Sequence, residues 1–214
     1  AGQAHGTGQV KSLAELRGHR IGYEPNALGA YVLARALQLS GMQLSDVNAV
    51  PVRLEEHERA YSDRVIDAIV TFEPRRTHLM AQGARSVFDS TSIPGEVVDV
   101  LLTRRELLEA RRHALQALID GWFEAVKFMQ AQPREAATLA AERQRLRMDE
   151  YAAAMSGMTL PDRAANATLL GHSGASLERS LARLASVMTE YKLLSRAVDS
   201  GHLLDDRFVR AGGP

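Results

Sequence analysis

From Ser12 to about Thr103 the sequence alternates short apolar runs with stretches of helical periodicity, and this alternation restricts the possible folds more than any other feature. Strands that are separated by helices form βαβ units, which build a mainly parallel sheet. The apolar run at 65–72 is continuous and rich in β-branched residues, which is typical of a strand covered on both faces. The pattern predicts strands at 20–23, 47–52, 65–72, 85–89 and 97–103 and helices at 27–39, 56–64 and 77–82.

Beyond Arg104 the sequence shows helical patterns only. A long helix is predicted at 107–130, and another at 176–196 has leucines at helical spacing along one face. Trp122 and Met188 fall on the apolar stripes of these helices, so we expect both in the core. The predicted organisation is a flexible arm at 1–11, an α/β ligand-binding lobe at 12–103 and, at 104–214, a helical region that packs on the lobe.

The composition excludes several classes of function. The net charge of the 214 residues is +0, which does not favour nucleic acid or an anionic membrane surface as a partner. The sequence contains no cysteine, which excludes disulfides, thiolate catalysis and cysteine-ligated zinc within it. It also has no run of 18 apolar residues, so no membrane-spanning helix is predicted.

Two of the predicted strands end in nearly the same turn, Tyr-Glu-Pro at 23–25 and Phe-Glu-Pro at 72–74. In an open parallel sheet, ligands bind outside the carboxyl ends of the strands, where the connections change direction. Asn26 can cap the next helix, whose first residues are small enough for a ligand to reach backbone amides. We therefore predict that Glu24 and Glu73 lie at one edge of the sheet and face a common cavity. Each turn could equally be an ordinary turn with a solvated carboxylate.

Two further patterns point to chemistry less clearly. The run Glu-Glu-His-Glu at 55–58 could hold a metal, but consecutive helical residues point to different sides, and a solvated charged turn is the better interpretation. The run Gly-His-Ser-Gly-Ala at 171–175 imitates a nucleophile elbow but lacks the preceding strand, so Ser173 or Ser176 is better interpreted as a helix cap. We therefore predict no catalytic residue, no metal site and no cofactor, and a protein that is not an enzyme.

Three segments of the sequence resemble one family: SLAELRGHRIGYEPNALGAYVLARALQLSGMQLSDVNAV, VIDAIVTFEP and FDSTSIPGEVVDVLLTRRELL. They are similar to the solute-binding proteins of bacterial ABC importers of the nitrate/sulfonate/taurine type, a superfamily that includes proteins related to thiamine-pyrimidine synthesis. The resemblance runs from Ser12 to at least Pro133. It implies a type II periplasmic binding protein, with residues 12–92 in the second of two α/β lobes and the later helices completing the first lobe and the hinge.

The resemblance also implies a function. The protein would be a periplasmic or lipid-anchored receptor for a small organic or anionic solute, with an ABC permease as its partner and without a cofactor. Two carboxylates favour a ligand that carries an amine or a ring N–H group. The cleft would be lined by 26–31, 71–74 and 90–96. The predicted ligand-binding residues are Tyr23, Glu24, Asn26, Leu28, Gly29, Ala30, Tyr31, Thr71, Phe72, Glu73, Arg76, Ser90, Ser92 and Pro94.

One departure from the family pattern leaves alternatives open. Members of this family carry a stretch before the SLAELRG segment that builds strands of the first lobe, and the present sequence starts without it and without a signal peptide. We expect either a fragment or a one-lobe derivative, whose uncovered apolar surface could form a homodimer. The alternatives are a ligand-sensing or interaction domain and, further from the pattern, a pyrimidine-synthase-like enzyme or a hydrolase that uses Ser173.

Overall fold

A computed structural model describes residues 3–6, 10–25, 27–171, 176–194, 196, 198–199 and 202–210, without the side chains of 3–6, 27 and 176. The strands are β1 Gln3–Gly6, β2 Arg20–Tyr23, β3 Asn48–Pro51, β4 Ala68–Thr71 and β5 Arg85–Asp89. The helices are α1 Ala27–Leu39, α2 His57–Ser62, α3 Arg75–Ala81, α4 Arg105–Ala110, α5 Arg112–Ala131, α6 Pro133–Gln144, α7 Met148–Ser156, α8 Arg163–Leu170, α9 Ser176–Glu190 and α10 Arg207–Arg210.

The chain divides into two compact units. The first comprises Ala1–Val97 and Leu181–Val198, and the second comprises Val98–Ser180 and Asp199–Pro214. The division into units differs from the boundary that we predicted near residue 103 in two ways. The first unit ends earlier, at Val97, and it also includes part of α9. That part of α9 contributes Val187 to the core of the first unit, and Met188 packs against this core.

The first unit is built on one five-stranded sheet with the strand order β3-β2-β4-β1-β5. Strand β2 is parallel to both β3 and β4, whereas β1 is antiparallel to β4 and to β5. The prediction of an α/β fold with a mainly parallel sheet is confirmed. Strand β1 differs from expectation, because it lies inside the segment 1–11 that we predicted to be a flexible arm. Its backbone groups find partners on both sides, and this pairing forms a strand without an apolar run.

Helices cover both faces of this sheet. On one face α1 packs over Ile21, Ala68 and Val70. On the other face Ile66 and Ile69 pack with residues of α3 and of the segment after β3. Strand β4 is buried along its whole length as a result, which agrees with its continuous apolar sequence.

The segment 97–103 does not form the predicted strand. Residues 98–104 have no regular secondary structure in the second unit, and the side chain of Leu102 is 84% exposed. An apolar run becomes a strand only where another backbone supplies hydrogen bonds, and no pairing of this segment is found among the described residues.

The long helix predicted at 107–130 is divided into α4 and α5, because Arg111 departs from helical geometry at φ −128° and ψ 26°. The face of α5 that is buried carries Phe123 and Val126, so the prediction of Trp122 as a core residue was wrong; its side chain is 52% exposed. Helix α8, which we did not predict, places the guanidinium of Arg163 4.5 Å from the centre of the Phe123 ring. Among the described residues no helix is both long and apolar enough to cross a membrane.

Candidate functional site

The carboxyl ends of four strands lie at one edge of the sheet. Strands β2, β3 and β4 run in the same direction, and β5 joins them because β1 is antiparallel to both β4 and β5. Glu24 follows β2 directly, and Glu73 follows the neighbouring strand β4. The prediction that both glutamates lie at one edge of a single sheet is confirmed, and the loop after β5 belongs to the same edge.

The connections reverse direction between β2 and β4. From β2 the chain passes through α1 to β3 on one side, and from β4 it passes through α3 to β5 on the other side. The turns at Glu24 and Glu73 therefore flank the switch point of the sheet, the position where open parallel sheets bind ligands. This arrangement makes the turns the candidate site.

The turn after β2 is packed more tightly than we expected. A Cβ atom at Gly29 would lie 2.5 Å from the carbonyl oxygen of Glu24. The small residue therefore accommodates the backbone of this turn, whereas we expected it to admit a ligand. Ala30 is also buried, and Leu28 remains exposed at the start of α1. Asn26, predicted as the helix cap and as a ligand-binding residue, lies outside the described residues.

Tyr31 belongs to the core, although we predicted it to be a ligand-binding residue. Its side chain is 1% exposed, and its hydroxyl donates a hydrogen bond of 2.5 Å to Oε2 of Glu96. Arg35 donates to both carboxylate oxygens of Glu96, at 2.6 and 2.9 Å, and Arg183 of α9 donates to one of them at 3.1 Å. This network fixes the carboxyl end of the predicted loop 90–96 against two helices.

The rest of that loop is more accessible. Ser90 is half-buried, and Ser92 and Pro94 are exposed. The carboxylate of Asp89 accepts hydrogen bonds from the amide and the hydroxyl of Thr91, which caps the 3₁₀ turn Ser90–Ser92. The loop therefore starts with a local cap and ends with a long-range ion pair.

The carboxylate of Glu73 is already hydrogen-bonded within its own turn. It accepts bonds from the amide and hydroxyl of Thr77 at 3.2 and 2.7 Å and from Arg76 at 2.9 Å. Burial acts to raise the pKa of Glu73, but the bonds from Thr77 and Arg76 outweigh it and hold the pKa below the ordinary value. Glu73 thus caps the start of α3, and Arg76, a predicted ligand-binding residue, neutralises its charge.

Two buried polar residues lie beside these turns. Thr71, a predicted ligand-binding residue, is completely buried, and its Oγ1 lies 3.0 Å from Nδ1 of His57. His57 is also completely buried, so the interpretation of 55–58 as a solvated turn was wrong for this residue. The apolar positions Ala60 and Tyr61 follow it at helical spacing, a pattern that places His57 on the inner face of α2.

A hollow of about 20 Å³ lies in the first unit, enough for about one water molecule. It is lined by apolar and aromatic residues: Tyr23, Ala30, Leu33, Ala34, Leu44, Tyr191 and Leu193. Neither glutamate lines this hollow, so the predicted common cavity is not found there. Glu24, Phe72 and Glu73 are half-buried. No group of three or more potential metal ligands occurs among the described residues.

Comparison with known proteins gives one family. The model described as the NMT1-like family matches residues 6–143. An aliphatic sulfonates-binding protein of Escherichia coli (strain K12) is 20% identical over 133 residues, which cover 62% of this chain and 42% of that protein. The chain thus spans less than half the length of this relative.

Solved structures share the fold. The periplasmic aliphatic sulphonate binding protein SsuA from Escherichia coli matches with a TM-score of 0.78 at 18% identity, over 96% of this chain and 65% of that one. A mutant of the desulfurization enzyme DszB, in complex with biphenyl-2-sulfinic acid, matches with a TM-score of 0.62 at 16% identity, over 98% of this chain and 74% of that one. The fold is therefore found in binding proteins and in an enzyme.

Proposed function

The chain belongs to the NMT1-like family, and we propose that it is the solute-binding part of a bacterial ABC importer for a small organic anion of the sulfonate type. The observation that carries this proposal is the position of the Glu24 and Glu73 turns on either side of the switch point. Ligands bind at such points because several strand ends and helix starts converge there. The similarity to an aliphatic sulfonates-binding protein supports the choice of ligand.

The charges at the edge change our expectation for the ligand. From the sequence alone, two carboxylates favoured a ligand with an amine or ring N–H group. In the structure, however, Glu73 is satisfied by Thr77 and Arg76. Arg75 is half-buried beside them as the first residue of α3. A guanidinium binds a ligand that carries an oxyanion and repels a ligand that carries an ammonium group, so we favour a sulfonate.

The wider assignments follow from the same proposal. The partner would be an ABC permease, and the location would be the periplasm or the outer surface of the inner membrane. Because the chain spans only part of its relatives, these assignments concern the complete system. The homodimer stays a prediction, and sedimentation over micromolar concentrations would test it.

An enzyme of the DszB type is the second candidate, since that enzyme has the same fold. The sequence offers little for it, because no cysteine is present to act as a thiolate nucleophile. Ser173, considered above as a hydrolase nucleophile, lies outside the described residues. We therefore propose binding without chemistry, and incubation with an aromatic sulfinate should release no sulfite.

Calorimetry with two ligands of matched chain length tests whether the protein binds a sulfonate or an amine. Ethanesulfonate should bind, and ethylammonium should not. Arg75→Gln should weaken ethanesulfonate binding by roughly tenfold, because a charge-assisted hydrogen bond is lost. Arg85→Gln is the matched control, since Arg85 is exposed at the start of β5, at the opposite edge of the sheet. Binding of ethylammonium alone would contradict the proposal.

A further inference from the structure

His57 occupies an unusual position for a histidine beside the candidate site. It is the first residue of α2, its side chain is 0% exposed, and both ring nitrogens have a polar partner. Nδ1 lies 3.0 Å from Oγ1 of Thr71, and Nε2 lies 3.3 Å from the carbonyl oxygen of Val52. Neither glutamate of the turns is needed for these contacts.

The partners determine where the ring proton lies. The carbonyl oxygen of Val52 can only accept, so Nε2 carries the proton and donates it. Nδ1 is then the acceptor, and the hydroxyl of Thr71 donates to it. Burial favours the neutral ring and lowers the pKa of His57, and Arg75 acts in the same direction. The bond to Val52 and the charges of Glu24 and Glu55 oppose this effect.

These bonds join the ends of three strands. Thr71 is the last residue of β4, and Val52 directly follows β3. The amide of Val52 donates in turn to the carbonyl oxygen of Tyr23, the last residue of β2, at 2.9 Å. A path of hydrogen bonds therefore connects Tyr23, the residue before Glu24, through Val52 and His57 to Thr71, two residues before Glu73.

We infer that His57 is a positioning residue that sets the spacing of the two turns and thereby the geometry of the ligand-binding edge. The ring is completely buried, so it acts through Thr71 and Val52 without touching a ligand. The role in binding rests on the function proposed above. The role in ordering the turns does not, and it can be measured without a ligand.

Two substitutions at Thr71 separate this role from ordinary packing. Thr71→Val keeps the shape of the side chain and removes the hydroxyl, whereas Thr71→Ser keeps the hydroxyl and serves as the conservative variant. Ile66→Val is the control for a general loss of stability, because Ile66 is buried in the apolar cluster that contains Val52, and its side chain has no hydrogen-bonding group.

Amide hydrogen exchange measures the order of the turns. The amides of Val52 and Thr77, which bond to Tyr23 and Glu73, report the two turns, and amides within α1 give the reference. Thr71→Val should speed exchange of Val52 and Thr77 about fivefold relative to α1, because a local hydrogen bond has been lost. Thr71→Ser and Ile66→Val should leave this ratio unchanged. An unchanged ratio in Thr71→Val would overturn the inference.

Calorimetry with ethanesulfonate then tests the consequence for binding. Thr71→Val should bind it about fivefold more weakly than the wild type and than Ile66→Val, and Thr71→Ser should restore the affinity. Equal affinity in Thr71→Val and wild type would overturn the positioning role even if exchange had changed. If wild type itself fails to bind ethanesulfonate, the proposed function fails, and the exchange ratio alone decides whether His57 orders the turns.

Discussion

The hydroxyl of Tyr31 is hydrogen-bonded to the carboxylate of Glu96 across 65 positions of sequence, in the interior of the first unit. The same carboxylate binds Arg35, so α1 holds the end of the loop that follows β5. A buried carboxylate of this kind is stable only while its partners remain.

Glu96→Gln should destabilise the protein by about 3 kcal/mol, because the guanidinium of Arg35 stays buried after its carboxylate partner is lost. Urea unfolding followed by circular dichroism measures the free energy. Glu178→Gln, an exposed glutamate on α9, is the matched control and should change the stability by less than about 0.5 kcal/mol. Equal effects of the two substitutions would contradict the prediction.

The pH dependence of stability should show the same carboxylate. Burial acts to raise the pKa of Glu96, but hydrogen bonds from Arg35, Tyr31 and Arg183 lower it from 4.5 to about 2. The unfolded chain therefore binds a proton at higher pH than the folded protein does. The stabilisation from Glu96, roughly 3 kcal/mol, is complete above pH 4.5 and is lost as the pH falls through about 2.

Unfolding measured between pH 7 and pH 3 checks this expectation. The difference in stability between wild type and Glu96→Gln should narrow as the pH falls below 4.5, because glutamine does not titrate in this range. A difference that stays constant over the whole range would show that Glu96 is not the group responsible.

Gly29→Ala should destabilise the turn after β2, because the new Cβ would lie 2.5 Å from the carbonyl oxygen of Glu24. A backbone shift of this kind costs about 1–3 kcal/mol. Gly121→Ala provides the contrast, since nothing lies within 4 Å of a Cβ at Gly121 in α5. That substitution should stabilise the protein by up to about 1 kcal/mol. Thermal unfolding of both variants measures the change in stability, which should be a loss for Gly29→Ala and a gain for Gly121→Ala; a gain for Gly29→Ala would contradict the prediction.

Glu73→Ala should cost about 1 kcal/mol of stability, because it removes the acceptor for Thr77 at the start of α3. This expectation differs from the alternative raised from the sequence, an ordinary turn with a solvated carboxylate, because a solvated carboxylate would contribute little to stability. Glu73→Gln keeps an acceptor oxygen and should cost less than half as much. If chemical unfolding showed that the Glu73→Gln variant is less stable than the Glu73→Ala variant, the result would be inconsistent with a capping role.

The sequence predicted the elements whose signals are local. The ranges of β2, β5 and α1 agree residue for residue with the prediction, since each has a clear apolar pattern that ends at a turn or a glycine. The shared edge of Glu24 and Glu73 also followed from the sequence, because parallel strands connected by helices place their carboxyl ends together.

The features that were missed depend on partners distant in sequence. Strand β1 has no apolar run, and only its pairing with β4 and β5 defines it. The hydrogen bond of His57 to Thr71, 14 positions away, was missed for the same reason, although the helical spacing of Ala60 and Tyr61 could have indicated that His57 is buried. Conversely, Trp122 lies on an apolar stripe yet is exposed, because periodicity gives the apolar face of a helix without showing what covers it.

The antiparallel strand β1 has a consequence for the order in which the first unit can fold. It lies between β4 and β5, so both of its ladders can form only after residues 68–71 and 85–89, which are distant in sequence, have come into place. Because β1 is the only described strand that pairs with β5, strand β5 and the 90–96 loop after it cannot join the sheet until these distant segments meet. Contacts between such remote segments carry a greater loop-closure cost than local contacts do, and they slow folding. Closure of β1 between β4 and β5 would therefore be a late event, after the β2–β4 core has formed.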